Sequence, residues 1–74
     1  MASVQRRFGQ AVRRLREKQG YSQEELARVA RFHRTYASEI ERGKTNISLA
    51  VIERIAKALK MSLAELFRAV DDER

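Results

Sequence analysis

Seventy-four residues are enough for one small domain and no more. Sixteen Lys and Arg against ten Asp and Glu leave a formal charge of +6, while 43% of the chain is apolar, too much for a disordered tail carrying this charge. No apolar run approaches the roughly 18–20 residues of a membrane span, no basic–apolar–small leader signals export, and zero Cys with one His excludes a disulfide scaffold, thiolate metal sites and a His cluster.

A chain this short is stabilised by good helix packing, by oligomerisation or by both. Zero Pro and three Gly favour helices over a strand-and-turn architecture. The charge is uneven: residues 1–20 hold six basic groups and one Glu, residues 21–43 balance four against four, and residues 44–74 hold six against five. Such a basic excess raises the odds of a polyanionic partner, nucleic acid or an anionic membrane surface, without deciding between them.

Five short helical patterns follow one another. The first runs from about Val4 to Gln19, with Val4, Phe8, Ala11, Val12 and Leu15 on one stripe and Arg6, Arg7, Arg13, Arg14 and Lys18 elsewhere. Gly20 stands where a left-handed C-terminal cap is wanted. Basic residues opposite an apolar face also suit a helix lying on a membrane, but there is no Trp and four more helices follow. Ser22-Gln23-Glu24-Glu25 is a capping box opening a second helix, Gln23 to Ala30, with Leu26, Ala27 and Ala30 inward. After a turn at Arg31-Phe32-His33, with His33 as N-cap, a third helix covers Arg34 to Arg42 and is ended by Gly43. Its inner side is Tyr36, Ala37 and Ile40. Ser48 caps a fourth helix, Leu49 to Leu59, with a core face of Leu49, Ile52, Ile55, Ala56 and Leu59. A second capping box, Ser62-Leu63-Ala64-Glu65, opens the fifth, Leu63 to Val70, leaving residues 71–74 as a frayed acidic tail. The expected fold is all-α, one five-helix domain over residues 1–74.

Helices two and three have the spacing of a helix-turn-helix, whose second helix projects its outer face into the DNA major groove. Arg34, Thr35, Ser38, Glu39 and Arg42 point outward, and the first four carry groups that can bond base edges. Periodicity alone leaves open a plain solvated helix face.

Tyr21-Ser22-Gln23-Glu24-Glu25-Leu26-Ala27, Ile40-Glu41-Arg42-Gly43-Lys44 and Ile55-Ala56-Lys57-Ala58-Leu59 resemble the signature of the XRE family, which includes the Cro and lambdoid phage repressor domains. The resemblance runs from about Phe8 to Phe67. Within the family, Arg34-Thr35-Tyr36, Ser38, Ile40-Glu41-Arg42-Gly43 and Asn46 look most like controller proteins of restriction–modification systems, small homodimers that regulate their own operon and the endonuclease gene. The resemblance implies a sequence-specific regulator of double-stranded DNA. It places Gln23 on a phosphate at a helix N-terminus, and Arg34, Thr35, Ser38 and Glu39 on bases. Arg42, Lys44, Thr45 and Asn46 fall along the backbone, and Arg16 and Glu41 form a structural ion pair. Three positions depart from the family: Arg31 and Lys60 stand where Gly is common, and Ala37 replaces a large aliphatic, leaving space for Phe32 or Tyr36 to fill.

One recognition helix reaches too few base pairs to single out an operator, so a symmetric homodimer on an inverted repeat is expected. The chain has more apolar residues than a small core needs. Val51, Ala58, Met61, Leu63 and Phe67 are the expected interface on helices four and five, with Leu66 in the core. No nucleophile–base pair, carboxylate pair or glycine loop points to an enzyme, and no cofactor or metal is expected. RNA polymerase is a conceivable further partner, and the chain's work would be cytoplasmic, on the nucleoid. The rival from another class is an antitoxin of the same fold, binding a toxin protein through helices one and five. Co-purification with a toxin, or the neighbouring genes, would separate the two.

Overall fold

In the computed structural model, which describes residues 2–73, every helix begins where a short side chain can accept from an amide that the helix leaves unpaired. The Ser3 hydroxyl accepts from the Arg6 amide and opens α1, Val4–Lys18. Ser22 and Glu25 form the expected capping box of α2, Gln23–Ala30, with reciprocal bonds of 3.0 and 2.8 Å. His33 caps α3, Arg34–Glu41, its Nδ1 accepting from the Thr35 amide at 3.1 Å. Ser48 opens α4, Leu49–Ala58, and the Ser62–Glu65 box opens α5, Leu63–Asp72. In both boxes the backbone N–H of the serine holds the glutamate carboxyl below its ordinary value.

Four residues just beyond helix ends have positive φ: Gly20 (80°), Arg31 (65°), Gly43 (70°) and Lys60 (59°). The turn geometry is therefore kept at Arg31 and Lys60 despite their side chains, at a cost of about 1 kcal/mol each. Carbonyls left over at the helix ends find partners in other helices. Arg54 Nε donates to Ala30 O (3.0 Å), and Gln19 Nε2 to Leu59 O (2.6 Å).

The helices enclose one apolar core, in which α1 packs on α3 and α5, α2 on α3 and α4, and α4 on α5. Phe8, Val12, Leu26, Ile40, Ile55, Leu59, Leu66 and Val70 form its centre. Ala37 is buried, and the Phe32 and Tyr36 rings meet edge to face (5.4 Å, 86°) while packing against the core.

Two expectations are corrected. Leu49, expected in the core, is 80% exposed. Burial along α4 deepens from exposed Leu49 through half-buried Val51 and Ile52 to fully buried Ile55, so the first residue of the helix stands outside the core. Nor do residues 71–73 form a frayed tail: Asp71 and Asp72 continue α5, and Glu73 accepts from Arg14 Nε at 2.7 Å, with Arg7 4.0 Å from Asp71. Basic residues of α1 offset the acidic end of α5, which by itself opposes the helix dipole. Arg74, assigned to the same tail, lies outside the described residues.

Where α1 crosses the end of α3, Gly9 brings the two backbones together; a Cβ there would overlap the Ile40 carbonyl and stand 2.7 Å from that of Glu41. Gly9 and Arg31 therefore respond oppositely to exchange. A mid-helix Gly→Ala change ordinarily stabilises by about 0.5–1 kcal/mol, whereas Gly9→Ala is expected to destabilise by about 1–3 kcal/mol through overpacking. Arg31→Gly is expected to stabilise by about 0.5–1 kcal/mol. Thermal melts of the two variants check both signs; a raised Tm for Gly9→Ala would contradict the close approach.

Candidate nucleic-acid interface

Glu41 ends α3 and is buried, so its charge requires partners. Arg16 of α1 supplies a bidentate pair, Nε at 2.6 Å and the Nη2 group at 3.0 Å on the two carboxylate oxygens. Its Nη1 donates to the Tyr21 carbonyl at 2.8 Å, just before α2. The hydrogen bond to Glu41 raises the Arg16 pKa against the opposing effect of burial. A third donor reaches the same carboxylate: Gln23 Nε2, at the first position of α2, lies 3.1 Å from Glu41 Oε1. One carboxylate thus ties together α1, the start of α2 and the end of α3.

That tie aims a polar surface outward. Gln23, Arg34, Thr35 and Ser38 line one open depression of about 250 Å³ between the start of α2 and the face of α3. Arg34 and Thr35 are exposed, Gln23 and Ser38 half-buried. A primary amide has two N–H groups, so with one on Glu41 the Gln23 side chain keeps a second donor at the N-terminal end of α2, where the helix dipole favours anions. Arg42 and Lys44 line a second depression of about 350 Å³, together with Arg6, Gln10, Arg13 and Glu41. No carboxylate lies within 4.0 Å of the Arg34, Arg42 or Lys44 charge among the described residues.

Not every expected residue joins these two depressions. Glu39 and Thr45 are half-buried and line neither; the Thr45 hydroxyl donates to the Asn46 carbonyl at 3.3 Å. The Asn46 side chain is held by Gln5, whose Nε2 donates to its Oδ1 at 2.7 Å. It borders a small apolar recess with Val4, Phe8, Ile52 and Phe67. The α1 residues Arg6, Gln10 and Arg13 were missed by sequence reasoning. Their signal was present: spacings of four and three put them on one stripe beside the apolar one.

Of the five expected interface residues, Ala58 is corrected, being 4% exposed within one chain and part of its core. It turns inward beside Ile55 and Leu59 and has almost no surface for a partner. Leu63 (42%) and Phe67 (39%) are exposed, and Val51 and Met61 half-buried. The Phe67 ring lies 6.2 Å from that of Phe8, bridging surface and core. Val4 and Leu49 add exposed apolar area that the expectation did not include. Among the described residues no group of three or more His, Asp or Glu is placed to hold a metal, and no helix is long and apolar enough to cross a membrane.

The helix-turn-helix family matches residues 12–66. Over 74 residues the chain is 42% identical to control protein C.MunI of a Mycoplasma species, covering 99% of this chain and 100% of that one. Over 60 residues it is 52% identical to control protein C.BamHI of Bacillus amyloliquefaciens, covering 80% and 74%. Its backbone follows that of the restriction–modification controller protein C.Esp1396I, solved as a tetramer in complex with its natural 35 base-pair operator. There the TM-score is 0.89 at 29% identity, over 99% of this chain and 96% of the other. The chain belongs to the helix-turn-helix family, of the XRE type, and within it resembles the restriction–modification control proteins.

Removing one partner of the buried pair strands the other charge. Arg16→Ala and Glu41→Ala are each expected to destabilise by about 3–5 kcal/mol, and a double-mutant cycle to give a coupling of about 1–3 kcal/mol. Urea unfolding of the four proteins measures it. Additive effects would mean the pair does not link α1 to α3.

Proposed function

We propose that this member of the helix-turn-helix family is a sequence-specific double-stranded DNA-binding transcriptional regulator, a restriction–modification controller that acts as a homodimer on an inverted repeat. The observation that carries this reading is the placement of Gln23, Arg34, Thr35 and Ser38 around one open depression, held there by the Arg16–Glu41–Gln23 tie. The whole chain acts as one helix-turn-helix unit, binding rather than catalysing, on the nucleoid of the cytoplasm.

In this reading the work divides as follows. The free N–H of Gln23 and the start of α2 take a phosphate, which fixes register without reading sequence. From the first turn of α3, Arg34 reaches guanine O6 and N7 with two parallel bonds, and Thr35 meets a base edge or a thymine methyl. Ser38, one turn on, reads either partner, and Glu39 accepts from cytosine or orients Arg34. Arg42 and Lys44 neutralise backbone phosphates beyond the end of α3. Thr45 and Asn46 lie along the backbone in the loop after α3, where the bond from Gln5 engages the Asn46 amide oxygen and leaves its two N–H donors for a phosphate.

Two copies meeting through Val51, Met61, Leu63 and Phe67, with Leu49 beside them, cover the apolar area that one chain leaves in water. A two-fold axis there sets two recognition helices about one helical turn apart. As C.Esp1396I occupies its operator as a tetramer, two such dimers on adjacent sites are the fuller assembly.

Arg34→Ala is expected to cost about 1–3 kcal/mol on the best site and to relax preference at one base per half-site. Gln23→Ala and Lys44→Ala are expected to weaken all duplexes evenly. Competition binding against single-base variants of the site separates the two patterns, and an Arg34→Ala protein with unaltered preference would move the recognition surface elsewhere. For assembly, sedimentation equilibrium at micromolar concentrations is expected to show a dimer that Val51→Glu with Leu63→Glu dissociates. A monomeric parent with full operator affinity would contradict the dimer.

A further inference from the structure

The depression at the exit of α3 holds more positive charge than the recognition helix explains. Arg6, Gln10 and Arg13 approach it from α1, and Arg42 and Lys44 from the other side. Its one acidic lining residue, Glu41, has its carboxylate engaged by Arg16 and Gln23 and offers no compensation there. Arg13 shares Glu17 at 3.3 Å, an exposed pair that holds it weakly. No carboxylate lies within 4.0 Å of the Arg6, Arg42 or Lys44 charge among the described residues. Four cations gathered on one concave surface repel one another, and an anion seated among them relieves that repulsion.

Arg6 also packs directly on the loop that follows α3. At Gly43, where φ is 70°, a Cβ would stand 2.7 Å from Arg6 Cγ and 2.8 Å from Arg6 Cα. The absence of a side chain lets the stem of Arg6 lie directly on the loop that leaves α3. One residue earlier in α1, Gln5 holds Asn46 of the same loop. The start of α1 and residues 43–46 are therefore in direct contact, and Arg6 lines the same depression as Arg42 and Lys44.

We propose that Arg6, Gln10 and Arg13 of α1 complete, with Arg42 and Lys44, a second phosphodiester site, so that the duplex is gripped by α1 as well as by the helix-turn-helix. This rests on the DNA-binding reading above and extends it. The ligand is the backbone of the bound duplex, because the site continues the track on which Arg42 and Lys44 already lie. The contact carries no base information and adds to affinity and its salt dependence alone.

The test uses the full chain and a duplex carrying the site enriched from a randomised pool, with a scrambled duplex beside it. Arg6→Gln and Arg13→Gln keep most of the side-chain stem while removing the charge. Each is expected to reduce the slope of log K against log salt by about 0.9, the share of one neutralised phosphate, and the double variant by about twice that. Base preference and Tm are expected to stay unchanged, the Lys57→Gln control to keep the parental slope, and Arg6→Lys with Arg13→Lys to restore it. A double Gln variant with the parental slope, or one whose base preference changes, overturns this inference and leaves the DNA-binding reading standing. A parent chain that binds neither duplex overturns both.

Discussion

The Glu41 carboxylate accepts three hydrogen bonds, two from Arg16 and one from Gln23, at the point where α1, α2 and α3 converge. A buried ion pair does little more than offset its own desolvation, so its main effect here is on position rather than on net stability. It permits one relation among α1, the start of α2 and the end of α3. Gly9 imposes the same relation from the other side, because α1 and α3 touch backbone to backbone at the end of α3. A shift of either helix would break a bidentate pair or force two carbonyls into a helix.

Consequences of this fixed junction run outward to the surface. With one amide proton held by Glu41, Gln23 presents the other in a set direction, and the polar face of α3 follows from the orientation of Ile40 and Ala37 in the core. Other helix ends serve the same end: Arg54 satisfies the last carbonyl of α2, and Gln19 that of the residue closing α4. Non-glycine residues persist at two left-handed positions, and a cluster of like charges persists at the exit of α3. Each costs stability, which fits a surface kept positive for a polyanion.

Much of this was legible in the sequence. Serines followed three residues later by glutamate marked the starts of α2 and α5, because a capping box is a local interaction that needs no tertiary context. The outward polar face of α3 came from the period of Ala37 and Ile40, but its reading as a recognition face and the Arg16–Glu41 pair came only from family resemblance, since nothing local relates residues 25 apart. What the sequence did not show depended on tertiary packing. Leu49 fits the helical stripe of α4 but stands at its start, outside the core, whereas Ala58, at the edge of the stripe, is buried near its end. Asp71 and Asp72 read as a solvated tail until Arg7 and Arg14 are known to lie opposite. Gly9 looks like an ordinary weak point in a helix, and Arg6, Gln10 and Arg13 like any polar stripe, until α3 is placed against them.

The central claim is that a locked junction of three helices presents the outer face of α3 to a duplex. Amide chemical shifts followed during titration with the selected duplex test it most directly, since they report every residue at once. Changes are expected at Gln23, Arg34–Arg42 and Lys44, with the core amides around Ile55 and Leu66 unmoved. Changes concentrated on α4 and α5, with α3 silent, would contradict it.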